Sequence, residues 1–364
     1  MSLRLFNILT ALFFVERFFY QQHSQKNIMS RKNNKNANLR AKCRSKVEKN
    51  IKTCYYPGCN EESINSHILQ KNGILNKIAK DGHLWEIMVD EYSTERFIFK
   101  RKGLNKIFSF NCFCNHHDSS LFKQIESTTL DFTNYKTNLL FTLRTLYNEM
   151  FKKQKNIKIK ECLIRENPDK FDIDETLKTI NDENLAIKDL QIIEQKILHD
   201  LDSSDETFIF NHREIDDIGL CLSSFFTYDT TEEIERIEAE TGKELDRYSE
   251  IFINIFPYQN KAILMTAYEK IDKAKVENYI SDFYDIDPKI CHQKITNLAL
   301  FNCENWVIND DFYTENIKGI EYKFIEAVKF ALYENTSNKD ERKNFDISFY
   351  EKDFKDKFKK LEIK

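Results

Sequence analysis

Four side chains at two short spacings could hold a transition-metal ion. Cys54 and Cys59 close the loop Cys54-Tyr55-Tyr56-Pro57-Gly58-Cys59, where Pro57 and Gly58 let the backbone turn sharply around an ion. Further on, Cys114 and His117 stand in a Cys-x-x-His relation within Cys112-Phe113-Cys114-Asn115-His116-His117-Asp118, at the start of a helical stretch. Thiolate sulfur and imidazole nitrogen are the donors of a structural zinc site. Such a site takes four of them in a tetrahedron, and two pairs would staple distant segments together. Two alternates stay open. Cys112, two residues before Cys114 in an extended stretch, would point the same way and can replace it, and His116 can replace His117. The plain alternative to a metal site is a set of small buried thiols.

Between the pairs lies Ile64-Asn65-Ser66-His67-Ile68-Leu69-Gln70, with His67 at the end of a short strand. A knuckle, a strand ending in His and a second knuckle opening a helix resemble the HNH endonucleases, over residues 50–126. The resemblance implies a ββα-metal treble clef, with His67 as the general base that activates water against a phosphodiester. It further implies a catalytic Mg²⁺ or Mn²⁺ at the scissile phosphate, for which His116 and Asp118, with Glu126 beyond them, are the matching residues. Ser66 stands where the family carries an acid or a second His, and only Asn105 and Asn111 precede the second knuckle. The pattern from Ser66-His67 to Phe113-x-x-x-His117-Asp118 is also similar to bacterial HNH-like proteins, some associated with phage defence. Read without the resemblance, His67 caps the following helix or packs beside the metal. Tyr55, Tyr56, Phe110 and Phe113 read as a small core around the site, or as stacking surfaces for bases.

These residues need elements to hold them. Apolar spacing predicts a helix within 68–79, a hairpin from 83–89 and 96–99, and helices over 121–201 broken at Asn167-Pro168. Beyond a boundary near 203, strands are expected at 206–210, 251–256, 262–268 and 305–308, with helices at 276–283 and 320–332. The expected class is α+β in four parts. An apolar stretch and basic arm occupy 1–53, a zinc-binding HNH-like unit 54–130, a helical connector 131–203, and an α+β domain 204–364. His199, His212 and His292 stand alone and receive no role.

Hydrophobic residues at 41% and aromatics at 13% specify a folded chain, and seven Gly with four Pro argue against glycine-rich phosphate loops and propellers. The net charge of −4 hides an uneven distribution. Residues 26–52 are basic, and Arg31, Lys32, Arg40, Lys42, Arg44 and Lys46 are candidates for gripping a phosphate backbone, or else belong to a solvated tail. Nine Cys in this length are no disulfide scaffold, and Cys43, Cys162, Cys221, Cys291 and Cys303 read as ordinary core thiols. The apolar run 5–15 is too short to span a bilayer and lacks a small-residue cleavage pattern, so Met29 is an alternative start. The expectation is a cytoplasmic protein without membrane insertion, acting on nucleic acid, DNA before RNA, with a protein partner for 204–364. The competing function is a non-catalytic treble-clef zinc module that binds nucleic acid or protein.

Overall fold

In the computed structural model the described residues are 30–93, 95–243, 245, 247–331 and 344–363, and for 30–34 and 231 the backbone alone is described. The apolar run 5–15, the alternative start at Met29 and the side chains of Arg31 and Lys32 lie outside that description. In chain order, α1 (Ser30–Asn50) precedes β1 (Asn65–His67), β2 (His83–Val89), β3 (Phe97–Gly103), β4 (Ser109–Asn111) and α2 (Asn115–Leu121). Two long helices follow, α3 (Tyr135–Glu166) and α4 (Ile173–Asp202). Then come β5 (Phe208–Ile215), β6 (Leu220–Thr227), α5 (Thr231–Thr241), β7 (Glu250–Tyr258), β8 (Lys261–Glu269), α6 (Lys273–Ser281), α7 (Pro288–Phe301) and β9 (Trp306–Ile308). The last helices are α8 (Glu321–Lys329) and α9 (Phe354–Lys360). The mixture of helices and antiparallel strands is α+β.

One seven-stranded sheet runs in the order β3-β2-β9-β6-β7-β8-β5, and β1 with β4 forms a separate two-stranded ribbon. The expected units 54–130 and 204–364 therefore share a sheet instead of folding apart. The joint is narrow, with Trp85 opposite Ile308. Side chains reinforce it: the Trp85 indole N–H donates to Asp310 at 2.7 Å and the ring stacks on Tyr313 at 3.7 Å. Arg101 grips the same Asp310 carboxylate through two bonds of 2.9 Å.

Helix α3 crosses one face of the sheet. Along β6 successive side chains alternate between faces, so Ser223 meets Thr145 of α3 at 2.8 Å while Phe226 meets Tyr279 of α6 on the other side. Phe141 stacks on Phe256 of β7, and α4 folds back along α3 after the Asn167-Pro168 break. The basic arm is no tail. Its described residues 30–50 form α1, packed on α3, and Cys43 is disulfide-bonded to Cys162, which corrects the reading of both as separate thiols.

Local departures have identifiable causes. The helix expected within 68–79 is a π-helical turn, Lys71–Leu75, running into Asn76–Ile78. Gly73 permits this turn, because a Cβ there would lie 1.7 Å from the Gln70 side chain, which reaches across to the Glu126 carbonyl. The lone histidines are structural neighbours of ordinary kind, with His292 stacked on Tyr350 and His199 paired with Asp205 at the surface. Among the described residues no helix is long and apolar enough to cross a membrane.

Glu250, half-buried at the start of β7, has its pKa pushed up to about 8 by burial, against a hydrogen bond from the Thr227 hydroxyl. An acid whose pKa is raised by folding weakens the fold as pH climbs from its unfolded value toward the folded one. Glu250→Gln is therefore expected to melt higher than the parent at pH 8.5, by on the order of 2 kcal/mol in stability, and to lose this advantage near pH 4. Equal melting curves across that range would contradict the assignment.

Candidate metal centre

The first knuckle is clamped to the second by backbone hydrogen bonds. Tyr55 N–H donates to the Cys112 carbonyl at 2.8 Å and Ile64 N–H to that of Phe113 at 2.7 Å, while Cys54 N–H donates to the Glu61 carbonyl at 2.9 Å within the first segment. The loop itself turns at Gly58, whose φ of +75° favours glycine, and closes with Cys59 N–H on the Tyr56 carbonyl. Cys114 is the extended N-cap of α2, and His117 sits three residues on in its first turn, so both face the same side.

These four residues converge. Cys54 Sγ lies 3.5 Å and Cys114 Sγ 3.2 Å from His117 Nδ1, Cys59 Sγ is 4.0 Å from Cys114 Sγ, and all four ligand atoms lie within 4.8 Å of one another. A tetrahedron with metal–sulfur bonds of about 2.3 Å and a metal–nitrogen bond of about 2.0 Å has edges of about 3.5–3.8 Å. The Cys₃His group is thus compatible with a zinc ion, in both donor chemistry and spacing. Tyr56 stacks on the His117 ring at 4.1 Å and fixes its plane. Burial pushes the Cys54 thiol up to about 11, while Cys114, reached first by the His117 backbone N–H, is held below the ordinary thiol value.

The alternates fall outside the group. Cys112 is fully buried and directs its thiol to the Tyr147 carbonyl, because the chain leaves β4 at Asn111 and the strand alternation stops there. His116 is exposed and only edge-on to His117, with ring centres 5.2 Å apart. Among the described residues this is the one group of three or more such ligands. His67, His116, Asp118 and Glu126 are not gathered into a second.

His67 ends β1, half-buried, with Nε2 at 2.7 Å from the Leu104 carbonyl. A carbonyl can only accept, so Nε2 carries the proton and Nδ1 is the acceptor. Burial lowers the imidazole pKa, and nearby Lys71 and Arg144 add to that against the Leu104 bond, so the ring is neutral near pH 7. It does not cap the turn at Lys71–Leu75. Asp118 and Glu126 are both engaged by the buried guanidinium of Arg144, which also lies 4.4 Å over the Phe122 ring. Ser66 is buried on the side opposite His67, and its hydroxyl has no hydrogen-bond partner. Arg144 was the residue hidden from the sequence reading. Its signal is a charge placed among Leu139, Leu140, Leu143 and Leu146 on a core helix.

The basic arm is corrected in part. Arg40 Nε and Arg44 Nη2 bind Glu91 at 2.8 and 2.9 Å, joined by Arg96 at 2.8 Å, so these arginines tie α1 to the β2–β3 turn instead of reaching a phosphate backbone. Lys42 and Lys46 are exposed and face Glu166. Compared with protein-family models, with curated proteins and with solved structures, the chain finds no match.

Proposed function

We propose that this chain is a zinc-stapled hydrolase of nucleic-acid phosphodiesters, HNH-like in its β1–β4–α2 arrangement, with His67 as general base. The Cys₃His group would hold the zinc, and the β1–β4 ribbon with α2 opening at Cys114 supports a ββα treble-clef reading. One observation carries the catalytic part. The Leu104 carbonyl fixes the His67 tautomer and leaves a neutral Nδ1 able to take a proton of a water as its oxygen attacks phosphorus, while the opposite P–O ester bond breaks and the leaving oxygen is protonated by solvent. Zinc supplies cross-linking and no step of the reaction. The residues matched to a catalytic Mg²⁺ or Mn²⁺ are not gathered around a common point here: Arg144 pairs closely with Glu126 and lies 3.6 Å from Asp118, and His116 is exposed.

The test is cleavage of plasmid and single-stranded DNA, then RNA, by the wild type and His67→Ala at equal zinc content, with and without added Mg²⁺ or Mn²⁺. Loss of about a hundredfold or more in rate in the variant is expected. Cutting by both proteins at one rate would remove His67 from the chemistry. The engagement of both acids by Arg144 favours a second reading, a zinc scaffold that binds without cutting. Retained zinc and nucleic-acid binding with no cleavage by either protein would establish it.

A further inference from the structure

We propose that the partly open cavity lined by α1, β2, β3, β4 and α3, with charged groups set among apolar ones, is a binding site for a phosphate-class oxyanion. Neither the Cys₃His group nor His67 itself lines this cavity of about 190 Å³, although Ile68 and Ser109 beside His67 do, and the inference does not rest on the hydrolase reading. Its wall carries five cations, Arg44, Lys102, Lys106, Lys152 and Lys155. Burying so many charges is costly unless each is matched.

The acids at the wall are mostly engaged already. Glu86 binds Lys102, and Lys152 holds Glu304 at 3.0 Å and Glu149 at 2.8 Å. Asn305 gives its amide N–H to Glu149 at 2.9 Å. The second Glu149 oxygen has no hydrogen bond, but Glu149 lies behind Lys152 and does not line the cavity. Lys155 is left with Glu48, 3.6 Å away and half exposed, while Arg44 and Lys152 crowd it with like charge. Burial and those two cations hold the Lys155 pKa below the usual lysine value.

The polar groups still open at the wall are donors except for Glu304 Oε1, a buried oxygen without a hydrogen bond on a carboxylate that Lys152 already holds through its other oxygen. Asn148 is 4% exposed, lines the cavity, and its Nδ2 finds no acceptor. Lys155 stands about two helical turns further along α3, and Lys106 is exposed with no ion pair among the described residues. A cationic ligand would meet repulsion from Lys155, Arg44 and Lys152. A ligand bearing several acceptor oxygens and negative charge would satisfy Asn148, Lys155 and Lys106 at once. The volume falls below the roughly 300 Å³ at which drug-sized pockets begin. The occupant is therefore the oxyanion itself or the phosphate end of a larger molecule entering past Lys106. Free phosphate, a nucleoside monophosphate and a 5′-phosphorylated oligonucleotide share this chemistry.

Calorimetric titration of the full, zinc-loaded chain with inorganic phosphate, a nucleoside monophosphate, and an oligonucleotide with and without its 5′-phosphate separates the sources. Binding of at least one phosphate form is expected, with free phosphate competing against it. Lys155→Met should weaken that binding about tenfold or more, and Lys106→Ala by a smaller factor. Melting curves establish that Lys155→Met folds. Lys106 is at the surface, so Lys106→Ala decides the matter if the buried variant does not. Overturning results are no binding of any phosphate form, binding unchanged in the folded variants, or oligonucleotide binding indifferent to the 5′-phosphate.

Discussion

Cys114→Ser is expected to release zinc and unfold the region around the knuckles while the main sheet survives. The elements there are too small to stand alone. β1 and β4 have three residues each and α2 has seven, well below the lengths at which an isolated ribbon or helix persists in water. A structural zinc site contributes about 10–16 kcal/mol of binding free energy, against total stabilities of about 5–15 kcal/mol for whole domains. Losing one of four ligands therefore costs several kcal/mol locally. Metal analysis should find one zinc per chain in the wild type, in Cys112→Ser and in His116→Ala, and much less in Cys114→Ser. Hydrogen exchange should lose protection around Cys54–Cys59 and over β4 and α2, but not over β6, β7 and β8. Full zinc occupancy in Cys114→Ser would dismiss the ligand set.

The second large effect concerns Glu91. Its carboxylate lies between Arg40, Arg44 and Arg96, all within 2.9 Å, and the side chain is 6% exposed. Burial alone would raise its pKa, but Arg44 and Arg96, with Arg40, outweigh it and hold the acid below the usual carboxylate range. Removing one partner of a buried ionic cluster strands the others, at a cost of about 3–5 kcal/mol. Glu91→Ala should therefore melt far below the wild type at pH 7, and α1 should come loose from the β2–β3 turn. An acid depressed by folding contributes stability above its unfolded pKa and loses it as pH falls through the folded value. The gap between wild type and Glu91→Gln should accordingly close in acid, below the ordinary glutamate range. A gap that persists undiminished at low pH would point to packing instead of charge.

The Cys₃His group was legible because thiolate and imidazole at short spacings carry their chemistry in residue type alone. The choice of Cys114 over Cys112 was not, since it depends on the strand ending at Asn111, a boundary that a run of mixed residues does not mark. The β2–β3 and β7–β8 hairpins and the helices around Asn167-Pro168 followed from alternation and breakers. β6 escaped because it is buried on nearly every position, so no polar face punctuates it. The arginines of α1 were read as a surface charge because composition cannot say where the opposing acid lies. Glu91 is some fifty positions away in sequence, 51 from Arg40.

The joint between β2 and β9 also has a consequence in time. Trp85 and its partner Asp310 are 225 positions apart. At about 5–20 residues per second, a ribosome needs about 10 to 45 s to supply Asp310 after Trp85 has been made. Until then the β2 edge of the nascent hairpin has no β9 neighbour, whereas the Cys₃His residues are complete as soon as His117 has been made, long before Asp310. A zinc ion taken up there would anchor the waiting edge to an already folded segment, and chaperone demand during synthesis should then rise when zinc is scarce.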